Sequence, residues 1–219
     1  MIPFVQTSIE DPSLKTPEDF LSLQGTVING HRERQVIRVT LPESPAILKL
    51  EHRIRWKQRI ENLFACFGLS SKSTREAKTL QRVTHLGIRV PQCLAFGEDG
   101  QGRGFLLLRV IPDVVSLPES LRKCDSCSVM ARVAQTVRAV HDCGVNHPDL
   151  YANHVLIDSQ GKIWTIDWQR SRLRKRVSMK ARCRDLAALL VTLPDHLFDR
   201  ESFLRSYWKE DFAQALPII

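Results

Sequence analysis

The sequence predicts an α+β fold in two lobes, a small antiparallel-sheet lobe over residues 1–110 and a mainly helical lobe over residues 111–219. Three observations predict it. In the first half, Val36-Ile37-Arg38-Val39 and Ala46-Ile47-Leu48-Lys49-Leu50 are short runs of β-formers, with Pro42 and Pro45 supplying the turn. In the second half, Val129, Val133, Val137 and Val140 recur at helical spacing until Gly144 stops them. A hairpin then follows, Val155 to Ile157 and Ile163 to Ile166 around the turn Asp158-Ser159-Gln160-Gly161.

The remaining elements fall between these. Thr16-Pro17-Glu18-Asp19 combines a capping threonine, a first-turn proline and early acids, which predicts a short helix. Ser73-Thr74-Arg75-Glu76 reads as a capping box, and Ala77, Leu80, Val83 and Leu86 extend it as a helix over about residues 74 to 86, ended by Gly87. Gly104 to Val110 reads as a buried strand. The stretch from Ile111 to Ser120, with Pro112 and Pro118, reads as the linker between the lobes.

The chain is long enough to bury a substantial core, and its 43% hydrophobic and 26% charged residues exclude disordered, collagen-like and membrane-bundle classes. No basic stretch followed by an apolar run opens the sequence, and Gly104 to Leu108 and Leu186 to Leu193 are too short to cross a bilayer, so a cytoplasmic location is expected. Six scattered cysteines are expected as thiols. Cys124-x-x-Cys127 has metal-like spacing, but no second Cys or His pair accompanies it. The net charge of +8 attracts anions, and no RNA- or DNA-binding motif accompanies it, which sets nucleic acid aside.

Chemistry concentrates in His147-Pro148-Asp149, Asn153-His154 and Ile166-Asp167-Trp168, where two loop aspartates bracket the hairpin. This order matches the kinase template, in which one aspartate orients the acceptor hydroxyl and a second, after a hairpin, holds Mg²⁺ against the phosphates of ATP. Asp149 is the candidate catalytic carboxylate, Asp167 the candidate metal ligand, and His147 a brace for the loop. Upstream, Ile47-Leu48-Lys49 is similar to the strand whose lysine contacts nucleotide phosphates and pairs with a helix glutamate, here Glu76.

Leu48-Lys49, Arg75-Glu76-Ala77-Lys78-Thr79-Leu80, His147 through Leu156 and Ile166 through Arg170 together resemble the bacterial lipopolysaccharide core kinases, over roughly residues 30 to 208. The resemblance implies a bilobal protein-kinase-like fold and transfer of phosphate from ATP to a heptose or Kdo (sugar-acid) hydroxyl of the inner core. It marks His154, five residues after Asp149, where protein kinases carry a metal-binding asparagine; neighbouring Asn153 is the alternative ligand. Arg184-Asp185-Leu186-Ala187-Ala188-Leu189 resembles the family helix whose aspartate buttresses the catalytic loop.

Two departures stand out. No G-x-G-x-x-G loop precedes Lys49, where only Gly25 and Gly30 are near, and the sequence ends soon after Trp208, which implies a shortened C-lobe. A kinase acting on a protein or small metabolite, and a pseudokinase binding module, are therefore the alternatives. Basic residues cluster at His52 to Arg59 and at Arg170 to Arg184. Both read as solvated surface or as contacts to a phosphorylated glycolipid or an anionic membrane, the first cluster being supported by Trp56, Ile60, Leu63, Phe64 and Phe67.

Overall fold

The computed structural model describes residues 2–123 and 125–212; Cys124, and with it the Cys124-x-x-Cys127 pair, lies outside the described residues, as does the sequence end at Ile219. The chain divides into two compact units, Met1–Gln81 with Pro91–Ile111, and Arg82–Val90 with Pro112–Ile219. Residues 82–90, which precede the Ile111 linker in sequence, pack with the second unit, where the Thr165 amide donates to the Arg89 carbonyl at 3.2 Å.

The first unit contains β1 (Phe4–Thr7), α1 (Pro17–Leu21), β2 (Thr26–His31), β3 (Arg34–Thr40), β4 (Pro45–Glu51), α2 (Trp56–Phe64), most of α3 (Lys72–His85), β5 (Cys93–Glu98) and β6 (Gly104–Arg109). Its strands form an antiparallel sheet ordered β1-β5-β6-β4-β3-β2. Period-two alternation puts Ile37 and Val39 of β3 and Ala46, Leu48 and Leu50 of β4 into one core with Leu94 and Leu107. Helix α1 carries Phe20 into that core, stacked on Phe105 at a centroid distance of 4.5 Å. Complete burial of such a ring contributes about 1.5–3 kcal/mol. The predicted cap is present, with Thr16 and Asp19 forming a capping box and Pro17 in the first turn.

Two expectations change. Helix α3 begins at Lys72, and its cap is Ser71, whose Oγ accepts the Thr74 amide at 3.0 Å, so Glu76 is not the capping acid. The Ile111 to Ser120 stretch is not a bare linker, because β7 (Val114–Ser116) pairs with β9 (Val155–Asp158) and α4 (Leu117–Lys123) follows directly. Pro118 is tolerated there because the first turn of a helix needs no amide donor.

The second unit continues with α5 (Ser126–Asp142), β8 (Val145–Asn146), β10 (Ile163–Thr165), β11 (Arg172–Leu173), α6 (Met179–Val191) and α7 (Arg200–Trp208). Asp125 caps α5 through the Cys127 and Ser128 amides, and Val129, Val133 and Val137 face a core completed by Leu186, Leu189, Phe203, Tyr207 and Trp208. Strands β9 and β10 form the expected hairpin. Among the described residues no helix is long and apolar enough to cross a membrane.

Candidate active site

In the second unit, β8 delivers the chain into His147-Pro148-Asp149 and a 3₁₀ turn, Ala152–His154, returns it to β9. The loop is fixed from below by α6. Asp185 is wholly buried, and its Oδ2 accepts the His147 amide at 2.5 Å and lies 3.1 Å from His141 Nε2. His141 Nδ1 in turn lies 2.5 Å from the Tyr207 hydroxyl. Burial pushes the Tyr207 phenol up to about 12 and pushes His141 below the ordinary imidazole range. The chain of bonds is thus a phenol donating to Nδ1 of a neutral imidazole, whose Nε2–H donates to Asp185.

His147 is buried as well, and burial lowers its pKa, so its imidazole is neutral. Its Nε2–H donates to the Ile166 carbonyl at 3.0 Å, and the ring lies 4.5 Å from the Trp168 ring. This side chain braces the Asp149 loop to the segment carrying Asp167. Asp149 follows, itself buried, with Oδ1 accepting from Arg170 Nη1 at 2.7 Å.

His154 is tied to the same loop, its Nδ1 lying 2.8 Å from the Asp149 carbonyl. A carbonyl can only accept, so Nδ1 bears a proton, and Nε2 is the ring nitrogen left to serve as a ligand. That nitrogen lies 4.0 Å from Asp167 Oδ2. Asp167 adopts φ +64°, a left-handed conformation that aspartate tolerates better than most residues but that still carries strain. Two electron-pair donors facing each other suit a cation between them. Among the described residues, no group of three or more His, Cys, Asp or Glu side chains is arranged to hold a metal ion. A pair of donors is nevertheless what a nucleotide-borne Mg²⁺ needs, since its remaining ligands are phosphates and waters. Asn153 is exposed, one residue before His154.

In the first unit, Lys49 of β4 places Nζ 2.6 Å from Glu76 Oε1 of α3, and Glu76 is 1% exposed. The predicted pair is therefore in place, and a third member joins it: Arg34 Nη2 lies 3.4 Å from Glu76 Oε2. Register explains this, because Val36 sits opposite Lys49, and Arg34, two residues away, shares that face. Cys93 lies beside this cluster, and burial, with the Glu76 charge, pushes its thiol up to about 12, leaving it unreactive.

Sequence reasoning missed Arg34 as a partner of Glu76 and Arg170 as a partner of Asp149; strand alternation carried a signal for the first and nothing short-range carried one for the second. It also misplaced two side chains of the first basic cluster. Arg59 is 3% exposed and bridges Glu98 at 2.9 Å and the Leu69 carbonyl at 2.7 Å, so it is not a surface cation. Phe67 is buried under Arg75.

Residues 18–211 match the sequence model of the lipopolysaccharide kinase (Kdo/WaaP) family. The chain belongs to this family. It is a kinase with a protein-kinase-like α+β fold. Among its relatives, the lipopolysaccharide core heptose(I) kinase WaaP of Escherichia coli is 28% identical over 193 residues, 78% of this chain and 72% of that one. The 3-deoxy-D-manno-octulosonic acid kinase of Vibrio parahaemolyticus is 28% identical over 148 residues, 65% of this chain and 60% of that one. A solved structure, WaaP in complex with acyl carrier protein, superposes with a TM-score of 0.74 at 22% identity over 97% of this chain and 92% of that chain, a likeness of fold.

Proposed function

We propose that this kinase transfers the γ-phosphate of ATP to a hydroxyl of a heptose or Kdo residue in the lipopolysaccharide inner core. The supporting observation is the single rigid assembly in which Asp185, His147 and the β9–β10 hairpin hold buried Asp149 beside the His154 and Asp167 pair. Asp149 Oδ1 is engaged by Arg170, so the acceptor hydroxyl is oriented by, and gives its proton to, the other carboxylate oxygen. As the new O–P bond forms, the bond from the γ-phosphorus to the β,γ-bridging oxygen breaks and ADP departs.

Asp167 and His154, with Asn153 as a further candidate, would hold Mg²⁺, which when bound neutralises charge on the phosphate oxygens. Within the first unit, Lys49, oriented by Glu76, is the candidate contact for nucleotide phosphates. On this reading residues 1–110 serve nucleotide binding and residues 111–219 carry the catalytic loop and the acceptor side.

The acceptor side is basic. From Arg170 through Arg184 there are eight Lys or Arg residues and no acid. The segment is held against the catalytic loop by β11, where Arg172 pairs with Asn146 and Leu173 with Val145. A phosphorylated core glycolipid, met at the cytoplasmic membrane face, complements that charge. The test incubates protein, Mg²⁺ and γ-labelled ATP with deacylated core oligosaccharide. Label in a heptose or Kdo residue is the expected result, and label confined to proteins, to small metabolites or to inorganic phosphate sinks the proposal.

A further inference from the structure

Helix α2 is built inside out. On a helical wheel Trp56, Ile60, Leu63 and Phe64 occupy positions i, i+4, i+7 and i+8, an arc of about 100° that an ordinary surface helix turns toward its core. Here that arc faces solvent: Trp56 is 65% exposed, Ile60 38%, Leu63 50% and Phe64 84%. The buried side is polar. Arg59 reaches Glu98 and the Leu69 carbonyl, while Asn62 Nδ2 donates to the Ser70 and Ser71 carbonyls at 2.8 and 3.0 Å. The inversion is thus fixed by hydrogen bonds and ionic contacts that hold the apolar stripe outward, so it is not a loosely packed helix waiting to roll over.

Charge selects what covers this stripe. The segment leading into α2 and its first turn expose His52, Arg53, Arg55 and Lys57, with Arg55 also bridging Glu33. Glu61 is the one acid on the helix. An apolar arc with a Trp at one end and cations along its start is the pattern of a helix lying in the headgroup plane of an anionic bilayer. A second copy of the chain would bring these cations together, and an apolar protein partner would leave them unanswered.

We propose that α2 docks this kinase on an anionic lipid surface, with Trp56, Ile60, Leu63 and Phe64 at the level of the acyl boundary and Arg53, Arg55 and Lys57 among the headgroups. The placement rests on the reading that the acceptor is a glycolipid, which a soluble enzyme must meet at a membrane.

The experiment measures co-flotation of the full chain with vesicles of phosphatidylcholine alone and with 30 mole per cent phosphatidylglycerol, a test composition of roughly natural anionic content. Wild type floats with the anionic vesicles, and a tryptophan blue shift accompanies binding and vanishes in Trp56→Phe. Leu63→Ser with Phe64→Ser weakens partition at least tenfold, and raising salt weakens it further because exposed charges are screened. These positions are exposed, so the variants fold, and their activity on deacylated acceptor equals that of wild type. Equal flotation of wild type and the double variant overturns the proposal. So does a wild-type dimer that the double variant converts to monomer, or a Trp56 shift produced by added acyl carrier protein and not by vesicles. Label failing to enter core sugar would instead overturn the substrate reading, while α2-dependent flotation, measured without ATP, would stand.

Discussion

Arg170 Nη1 lies 2.7 Å from Asp149 Oδ1, pairing a guanidinium that is 64% exposed with a carboxylate that is 7% exposed. The arginine reaches in from the surface and fixes the one oxygen, which leaves the rotation of the Asp149 carboxylate determined. On the proposed mechanism Asp149→Asn removes the proton acceptor but keeps the shape of the loop. Turnover should fall by more than tenfold, a loss above about 1.4 kcal/mol in transition-state stabilisation, with ATP affinity unchanged. Arg170→Ala should also lower turnover, by a smaller factor, because the carboxylate stays and its orientation is lost. Single-turnover kinetics with titrations of ATP binding separate the two.

Glu76 carries two cations, Lys49 at 2.6 Å and Arg34 at 3.4 Å. Removing the acid from such a site leaves buried positive charge without its counterion, so Glu76→Ala should destabilise the protein by about 3 kcal/mol in denaturant unfolding. Lys49→Ala and Asp167→Ala should weaken binding of Mg·ATP in calorimetric titration, and Lys49→Ala should also cost stability, though less than Glu76→Ala because Arg34 still faces the acid. Unchanged affinity together with unchanged turnover in both would remove these residues from the nucleotide site.

What the sequence disclosed and what it hid follow from range. The caps of α1 and the β9–β10 turn depend on neighbours within four residues, and the two aspartates were legible because that short hairpin lies between them. Glu76 shows the limit, since Ser73-x-x-Glu76 satisfies the local pattern of a capping box while the fold uses Ser71 as the cap and turns Glu76 toward Lys49. The Arg170 contact with Asp149 joins residues 21 apart across a hairpin, and the Arg59 contact with Glu98 joins residues 39 apart. No periodicity records such pairs. Helix α2 hid its orientation for a related reason: a sequence stripe reports amphipathicity, but which side faces the core was decided by partners for Arg59 and Asn62.

His141 links α5 to the catalytic loop through Asp185, and its surroundings also include Tyr207, Arg182 and Asp142. Burial holds its pKa below the ordinary 6.5, so the folded protein keeps it neutral while the unfolded chain takes up a proton as pH falls past about 6.5. The unfolded state then binds more protons, so stability is fully present above pH 6.5 and declines on acidification toward the folded pKa. The slope from this one group approaches about 1.4 kcal/mol per pH unit. Denaturant midpoints measured between pH 7.5 and 5.5 should fall accordingly. His141→Gln should be less stable at pH 7.5 and lose that part of the slope; an undiminished slope would show that His141 is not the group.

Gly144 and Gly87 end their helices with nearly the same backbone, φ +79° and +78°, yet their surroundings differ. A Cβ on Gly87 meets nothing within 4 Å, so Gly87→Ala costs only the left-handed strain, about 1 kcal/mol. A Cβ on Gly144 falls 2.1 Å from the Arg174 carbonyl oxygen, in a segment where the Arg174 amide donates to the Gly144 carbonyl at 2.8 Å. Neither backbone can yield without breaking that bond and the adjoining β8–β11 pairing, which holds the basic segment beside Asp149. Gly144→Ala should therefore cost about 3 kcal/mol or more. It should also raise KM for the anionic acceptor at temperatures where the protein is still folded, leaving ATP affinity unchanged. Equal destabilisation by the two substitutions, or an acceptor KM that does not move in Gly144→Ala, would show that this contact does not position the basic segment.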